Sequence, residues 1–416
     1  MSAWLKIALL ASMVIASITG AYADAFDIST DYSAEMNGMA GAGMAHCTGG
    51  MAIAVNPAGM AGIRKFNFSM TLTNMVVTLE APANGPGTGV SSTSYAPIGG
   101  AGMAYRVHDN VIIGIFLFAP SGGGSTIKNV DFGYPLQGYT NVYRRRFSGR
   151  LAFIEFGPAV AIDLPYGIKI GVVYRINFVE NWANLWALSP GFLSGRMEAH
   201  YNKVHLSGYG FDGIRVGMQF NPVKQLHIGV AYRNPVRIYT SGKTRIDSAY
   251  SVKTEKIERY AERYSAGITY EFVPGIFLAS LDYEYCGYSR YKYNTVKTMG
   301  LISLSTPTKR RDAHWARLGF QVMAHPRVPV RFGVGATSGS SNRKYHNITS
   351  TGAPGYPFFL GLGSGYRFDE TWELNLSVNF LYNTGRVPMK YYFYGAMPGY
   401  YSSLGYFTSI ELICNL

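Results

Sequence analysis

From residue 66 onward, apolar positions alternate with polar or small ones, and the dominant period is two rather than 3.6. In 372–382 one face carries Trp372, Leu374, Leu376, Val378, Phe380 and Tyr382, and the other Glu373, Asn375, Ser377 and Asn379. The segment 168–178 sets Ile168, Ile170, Val172, Tyr174, Ile176 and Phe178 against Lys169, Gly171, Arg175 and Asn177. Similar stripes run through 226–233 and 328–335. The pattern predicts strands over 66–80, 95–107, 109–119, 149–163, 167–180, 201–221, 224–238, 259–272, 275–290, 313–324, 328–338, 356–368, 371–385 and 403–416. Connections alternate in length. Tight ones at 108–109, 164–166, 221–223, 273–274, 325–327 and 369–370 are separated by loops of roughly a dozen to thirty residues. An even set of strands with short turns at one rim and long loops at the other is the layout of a transmembrane barrel. Arg and Gly share the face opposite a long, aromatic-ended apolar stripe, which suits lipid outside and a polar lumen inside. The fold class expected is all-β, a 14-stranded antiparallel transmembrane β-barrel.

Composition points the same way. Of 416 residues, 48% are hydrophobic and only 15% charged, with 49 Gly, 32 Tyr and 23 Phe. A soluble domain carries about 25% charge, and disorder needs low hydrophobicity with high charge. Past residue 20 no apolar run reaches the roughly 20 residues of a membrane helix. A closed barrel is the other structure that satisfies its backbone in lipid.

The first 23 residues read as a secretory signal: Lys6, an apolar stretch from Ile7 to about Gly20, then Ala21-Tyr22-Ala23 before the expected cleavage. Cys47, Cys286 and Cys414 are odd in number and far apart, so they imply no disulfide framework. His46 and Cys47 have no second ligand pair, and neither a metal nor a cofactor is expected. Fourteen strands enclose more space than their own side chains fill. Residues 24–65, rich in Gly, Ala and Met and without a strand period, are expected to plug the lumen with short helices, leaving 66–416 as the barrel. Met36, Met39, Met44, Met51 and Met60 suit an adaptable filling.

A Gly/Ala-rich N-terminal segment ending in Asn56-Pro57-Ala58-Gly59 and followed by fourteen strands resembles the FadL family of outer-membrane transporters for long-chain fatty acids and other hydrophobic compounds. Gly102-Met103-Ala104-Tyr105-Arg106-Val107, Ile113-Gly114-Ile115 with Ala119-Pro120, and Gly229-Val230-Ala231-Tyr232-Arg233 add to the resemblance, which extends over the mature chain. Leu416 stands where the family usually ends in an aromatic residue. The resemblance implies a bacterial outer-membrane location, insertion by the barrel assembly machinery, a plug, passive uptake of hydrophobic molecules, and lateral release at a kinked third strand.

Other readings come from the residues themselves. In 181–193, Trp182, Leu185, Trp186, Phe192 and Leu193 are spaced for a short amphipathic helix on the long-loop side, a candidate outer capture site. A 16-carbon chain gains roughly 0.8 kcal/mol per buried methylene, so even a partial groove concentrates such a ligand. The third strand is apolar on both faces, with Ile115, Phe116 and Phe118 as candidate ligand contacts. Gly114 and Pro120 mark the candidate lateral-gap strand, since Pro120 and the glycines after it cannot sustain a regular ladder. Packing of this strand against the plug explains the same pattern equally well. Arg175, Arg215, Arg233, Arg317 and Arg331, with Lys169 and Arg367, face the lumen and would hold a ligand carboxylate or anchor plug acids such as Asp27, Asp31 and Glu35. The +13 net charge needs no nucleic acid; Arg144-Arg145-Arg146 would meet lipopolysaccharide and outer-membrane lipid. No His motif supports an enzyme. A general porin with an open or partly occluded pore is the alternative, and a monomer is expected.

Overall fold

The computed structural model describes residues 33–82, 90–132, 143–190, 197–247, 250–298, 302–346, 352–394 and 396–416; the expected signal segment, Asp27, Asp31, Phe192 and Leu193 lie outside them. The described residues form one closed antiparallel sheet of eighteen strand segments. These are β1 (Phe66–Ala81), β2 (Val90–His108), β3 (Val111–Phe132), β4 (Tyr143–Leu164), β5 (Ile168–Pro190), β6 (Met197–Val223), β7 (Leu226–Arg233), β8 (Val236–Ile246) and β9 (Tyr250–Tyr260). They continue with β10 (Arg263–Val273), β11 (Phe277–Cys286), β12 (Tyr293–Thr298), β13 (Ile302–Pro307), β14 (Ala313–His325), β15 (Val328–Thr337), β16 (Phe358–Arg367), β17 (Trp372–Val387) and β18 (Gly399–Asn415). Pairing of β1 with β18 shuts the barrel.

Eighteen segments make fourteen staves because four staves are interrupted. β6 pairs first with β7 and then with β8, so these two are one stave; β9 with β10, β11 with β12 and β13 with β14 follow from the same ladders. The first interruption has a local chemical cause. Pro235 brings no N–H to the ladder, and the Asn234 side chain substitutes for it. Asn234 Oδ1 accepts from the Ile214 N–H at 2.6 Å, and its Nδ2 donates to the Asp212 carbonyl at 2.7 Å.

The alternation sorts the two faces as expected. Leu72, Ile113, Ile115, Leu117, Val172, Leu281 and Leu376 are exposed on the outside, whereas Thr71, Thr73, Asn375, Asn379 and Ser409 are buried inside. Several expectations about length fail, the fourth strand starting at Tyr143 rather than 149 among them. The third strand runs to Phe132 rather than ending near residue 119, and the fifth to Pro190 rather than 180. Several expected long loops are therefore wall, because the polar segments beyond the apolar band still pair with their neighbours.

Residues 33–65 sit inside the barrel. Ser33 caps helix α1 (Ala34–Gly38) by accepting from the Met36 N–H. Helix α2 (Ala52–Val55) leads into a 3-10 helix, Pro57–Gly62. These pieces are one turn or so each and could not persist alone; the wall around them supplies their stability.

Candidate functional site

The plug is seated by backbone contact. Inner-face glycines of the staves leave room that any side chain would take. A Cβ at Gly102 would come within 2.2 Å of the Gly50 carbonyl, one at Gly171 within 2.3 Å of the Pro57 carbonyl carbon, one at Gly217 within 2.0 Å of Asn56 Oδ1, and one at Gly333 within 2.3 Å of Met39. The glycines that alternate with the apolar stripe thus form a girdle around the plug, and the small residues of the plug complete the fit.

The Asn56-Pro57-Ala58 element is the hinge of that seat. Asn56 is fully buried. Its Oδ1 accepts from the Ala58 N–H at 3.3 Å while Nδ2 donates to the Met218 carbonyl at 3.0 Å. Asn as N-cap and Pro at the first helical position are the residues a helix start favours, so the element turns the chain and ties it to β6 at once.

Polar side chains fasten the remainder. Asp282 accepts from the Gly43 and Met44 N–H groups at 2.9 and 3.0 Å. Gly50 N–H reaches Asn67 at 2.6 Å, and Gln219 donates to the Cys47 carbonyl at 3.0 Å. Ser33 and the Glu35 N–H both donate to Glu411. Burial, with the Asp282 carboxylate nearby, pushes the Cys47 thiol up to about 12, which keeps it protonated.

The lumen-facing arginines divide between plug and wall. Arg331 lies 3.4 Å from Glu35 of the plug and 3.7 Å from Glu373, and Arg215 donates to the Ile53 carbonyl at 3.0 Å. Arg175, Arg215 and Arg233 converge on Glu155, with Arg215 at 3.2 Å and Arg233 at 3.7 Å. Arg263 and Arg317 share Glu284 at 3.1 and 3.6 Å. The groups around Glu155 and Glu284 are almost wholly buried, whereas Glu35 and Glu373 are partly exposed.

Apolar side chains fill two parts of the interior. Ile112, Phe116 and Phe118 of β3 pack on Ile53, Met60 and Ile63 of the plug. A second cluster unites Met75, Val77 and Ile98 of β1 and β2 with Phe407 of β18, the stave that closes onto β1, and with Trp315 and Phe359 of β14 and β16. By contrast, a cavity of about 730 Å³ at the short-turn rim is lined by Glu35, His46, Arg327, Arg367, Glu373 and Glu411. One side of the plug meets grease and the other meets charge.

The wall has a discontinuity beside the second cluster. The β2–β3 ladder runs from His108–Val111 to Gly99–Ala119 and stops there. β2 goes on pairing with β1 as far as Val90, and β3 goes on pairing with β4 as far as Phe132. Thus Val90–Ile98 and Pro120–Phe132 have no ladder between them. Ile98 and Phe118, both buried, stand at its foot. Pro97 and Pro120 carry no N–H, which suits strands whose edge is unpaired.

Several sequence expectations change. Trp182, Leu185 and Trp186 lie on strand β5, not on a helix; the ladder to β4 and β6 outcompetes the helical spacing. Leu185 points inward and is 2% exposed. Trp182 and Trp186 are on the opposite, outer face, where Arg150 and Arg145 sit over their rings at 5.3 and 4.4 Å. They form no apolar patch at the mouth. Ile115 also faces outward at 57% exposure, since alternation places it opposite Phe116. Gly114 is pressed against Met60 and Ile53 of the plug rather than bordering the unpaired edge, which begins at Pro120. The inner cluster around Trp315, Phe359 and Phe407 was not anticipated, because its members come from staves distant in sequence.

No family model and no curated protein matches the chain. Solved structures do. A Pseudomonas aeruginosa FadL homologue superposes with a TM-score of 0.76 at 16% identity, over 92% of this chain and 98% of that one. The Pseudomonas putida toluene transporter TodX gives 0.70 at 15% identity, over 94% and 100%. The Ralstonia pickettii toluene transporter TbuX gives 0.69 at 15% identity, over 93% and 99%. From its N-terminal helices to its last strand, this chain has the fold of those plugged, fourteen-stave barrels.

Proposed function

We propose that the protein is a bacterial outer-membrane channel for passive uptake of hydrophobic molecules, long-chain fatty acids or aromatic and aliphatic hydrocarbons among them. The carrying observation is the apolar cluster above the plug abutting the unpaired stretch between β2 and β3. An apolar molecule gains about 25 cal/mol per Å² on leaving water, so this lining concentrates it beside the plug. Passage onward through the charged cavity at the short-turn rim would forfeit that gain. Release sideways between β2 and β3 into the lipid would keep it. The neighbouring fold supports the reading, since one such barrel is a FadL homologue and two are toluene transporters. A plug held by backbone contact and buried charges argues against an open porin.

The test is transport in proteoliposomes. Pro97→Val and Pro120→Val together return a backbone N–H to each of the two strands that border the gap. Uptake of a labelled hydrocarbon or fatty acid is expected to fall several-fold while the barrel stays folded. Undiminished uptake would remove lateral release. Passage of sugars or salts as fast as through a porin would remove the channel reading altogether.

A further inference from the structure

We propose that the outer face of the wall, above the lipid on β4, β5, β6, β8 and β9, binds the phosphate-bearing headgroup of an outer-leaflet glycolipid. This rests on the barrel standing in an outer membrane and is independent of its cargo.

Register gathers cations that the sequence scatters. Arg150 lies opposite Trp182, Trp182 opposite His205, His205 opposite Lys243, and Lys243 opposite Lys253. With strands spaced about 4.8 Å apart, this row crosses five of them in about 19 Å. In the next outward row, about 7 Å higher, Lys203 faces Arg245. Arg150, Lys203, His205, Lys243, Arg245 and Lys253 are exposed and Trp182 half-buried, whereas the residues between them, Leu151, Val204, Thr244 and Thr254, are buried. The row therefore points away from the lumen, toward whatever surrounds the barrel.

Height on the wall identifies the occupant. The apolar outer stripe of β5 from Ile168 to Phe178 is eleven residues by position, the length that crosses a bilayer. Exposed Tyr209, Phe211 and Tyr239 border it, as aromatic girdles border the hydrocarbon. The cationic row begins two residues beyond Glu180, at the level where lipid phosphates lie. Few acids oppose it. Glu180 is engaged by His205 at 2.8 Å, and Glu255 by Lys253 at 2.6 Å, one row nearer the lipid. The Trp182 ring stacks on His205 with centroids 5.2 Å apart and lies under Arg150. That stacking holds two of the donors in place on a flat platform suited to a sugar ring. A multivalent anion tethered by its acyl chains meets all of these groups without leaving the membrane. Charge-assisted bonds to phosphate oxygens supply the affinity.

The experiment uses the full-length protein purified in detergent, with lipopolysaccharide as the probe and retained lipid read by native mass spectrometry. Wild type is expected to retain lipopolysaccharide at least ten times more strongly than the variant Lys243→Glu, Arg245→Glu, Lys253→Glu. Added salt should weaken retention. The milder Lys243→Gln, Lys253→Gln variant gives an intermediate result if the reversal fails to fold; folding is read from altered gel migration before boiling. Equal retention of dephosphorylated lipopolysaccharide would overturn the proposal, as would undiminished retention by either folded variant. Displacement by inorganic phosphate at the lipid's own concentration would mark a small-anion site and overturn it too. Hydrocarbon uptake by the same variants is expected to be unchanged, so a failure here is separable from a failure of the transport reading.

Discussion

Single side chains in this barrel answer for large consequences where they are buried with charge or with no space. Arg175, Arg215 and Arg233 all converge on the Glu155 carboxylate. Removing one partner of a buried ion pair strands the rest, so Glu155→Ala is expected to destabilise the folded barrel by about 3–5 kcal/mol, measured by urea unfolding in detergent. Gly217→Val tests the opposite limit. Its side chain would invade Asn56, and overpacking costs typically 1–3 kcal/mol. We expect the plug to yield before the wall, which planar-bilayer recordings would show as new ion conductance. At the outer rim, His346 is 2% exposed and burial pushes it down to about 3. Its Nδ1 lies 2.7 Å from Ser341 Oγ. In an opened segment the ring titrates near 6.5, so the open form binds the extra proton. The closed form keeps its full stability above pH 6.5 and loses it as pH falls toward 3. Opening is expected to rise about tenfold per pH unit over that window. Hydrogen exchange of 338–346, corrected for intrinsic rates, should show this rise, and His346→Asn should flatten it.

Elements show why some features were readable from sequence and others were not. The stripe Trp372, Leu374, Leu376, Val378, Phe380, Tyr382 and its polar complement announced a strand with one face outward, and the structure agrees. Alternation is a local property, and fourteen repetitions fixed the stave number. What propensity could not supply was the competition between a helix and a ladder at 181–190: Trp182, Leu185 and Trp186 have helical spacing, yet β4 and β6 offer their edges and the strand persists. Likewise the glycines were visible as a polar-face pattern, but their purpose appears only when the plug backbone is laid on them. The cluster of Trp315, Phe359 and Phe407 depends on closure of the sheet and has no sequence signature. At this scale the plug makes its own prediction. Arg331→Gln removes the partner of Glu35 and leaves Gln321 and Asn375 short of their donor. Exchange protection in Ala34–Gly38 is expected to drop, with the staves unaffected.

Across the whole molecule, the two rims are unequal in height. β6 alone has 27 residues, which at about 3.3 Å each and a tilt near 40° climbs about 65 Å. The hydrocarbon core accounts for about 30 Å of that. The excess lies on the side of the long connections, as a rigid paired collar rather than as slack loops. A chimney of this kind sets its opening well clear of the hydrocarbon. If the proposed uptake holds, greasy molecules would enter from a mouth raised above the charged headgroups instead of crossing them. Height thereby becomes part of the solution to a permeability problem.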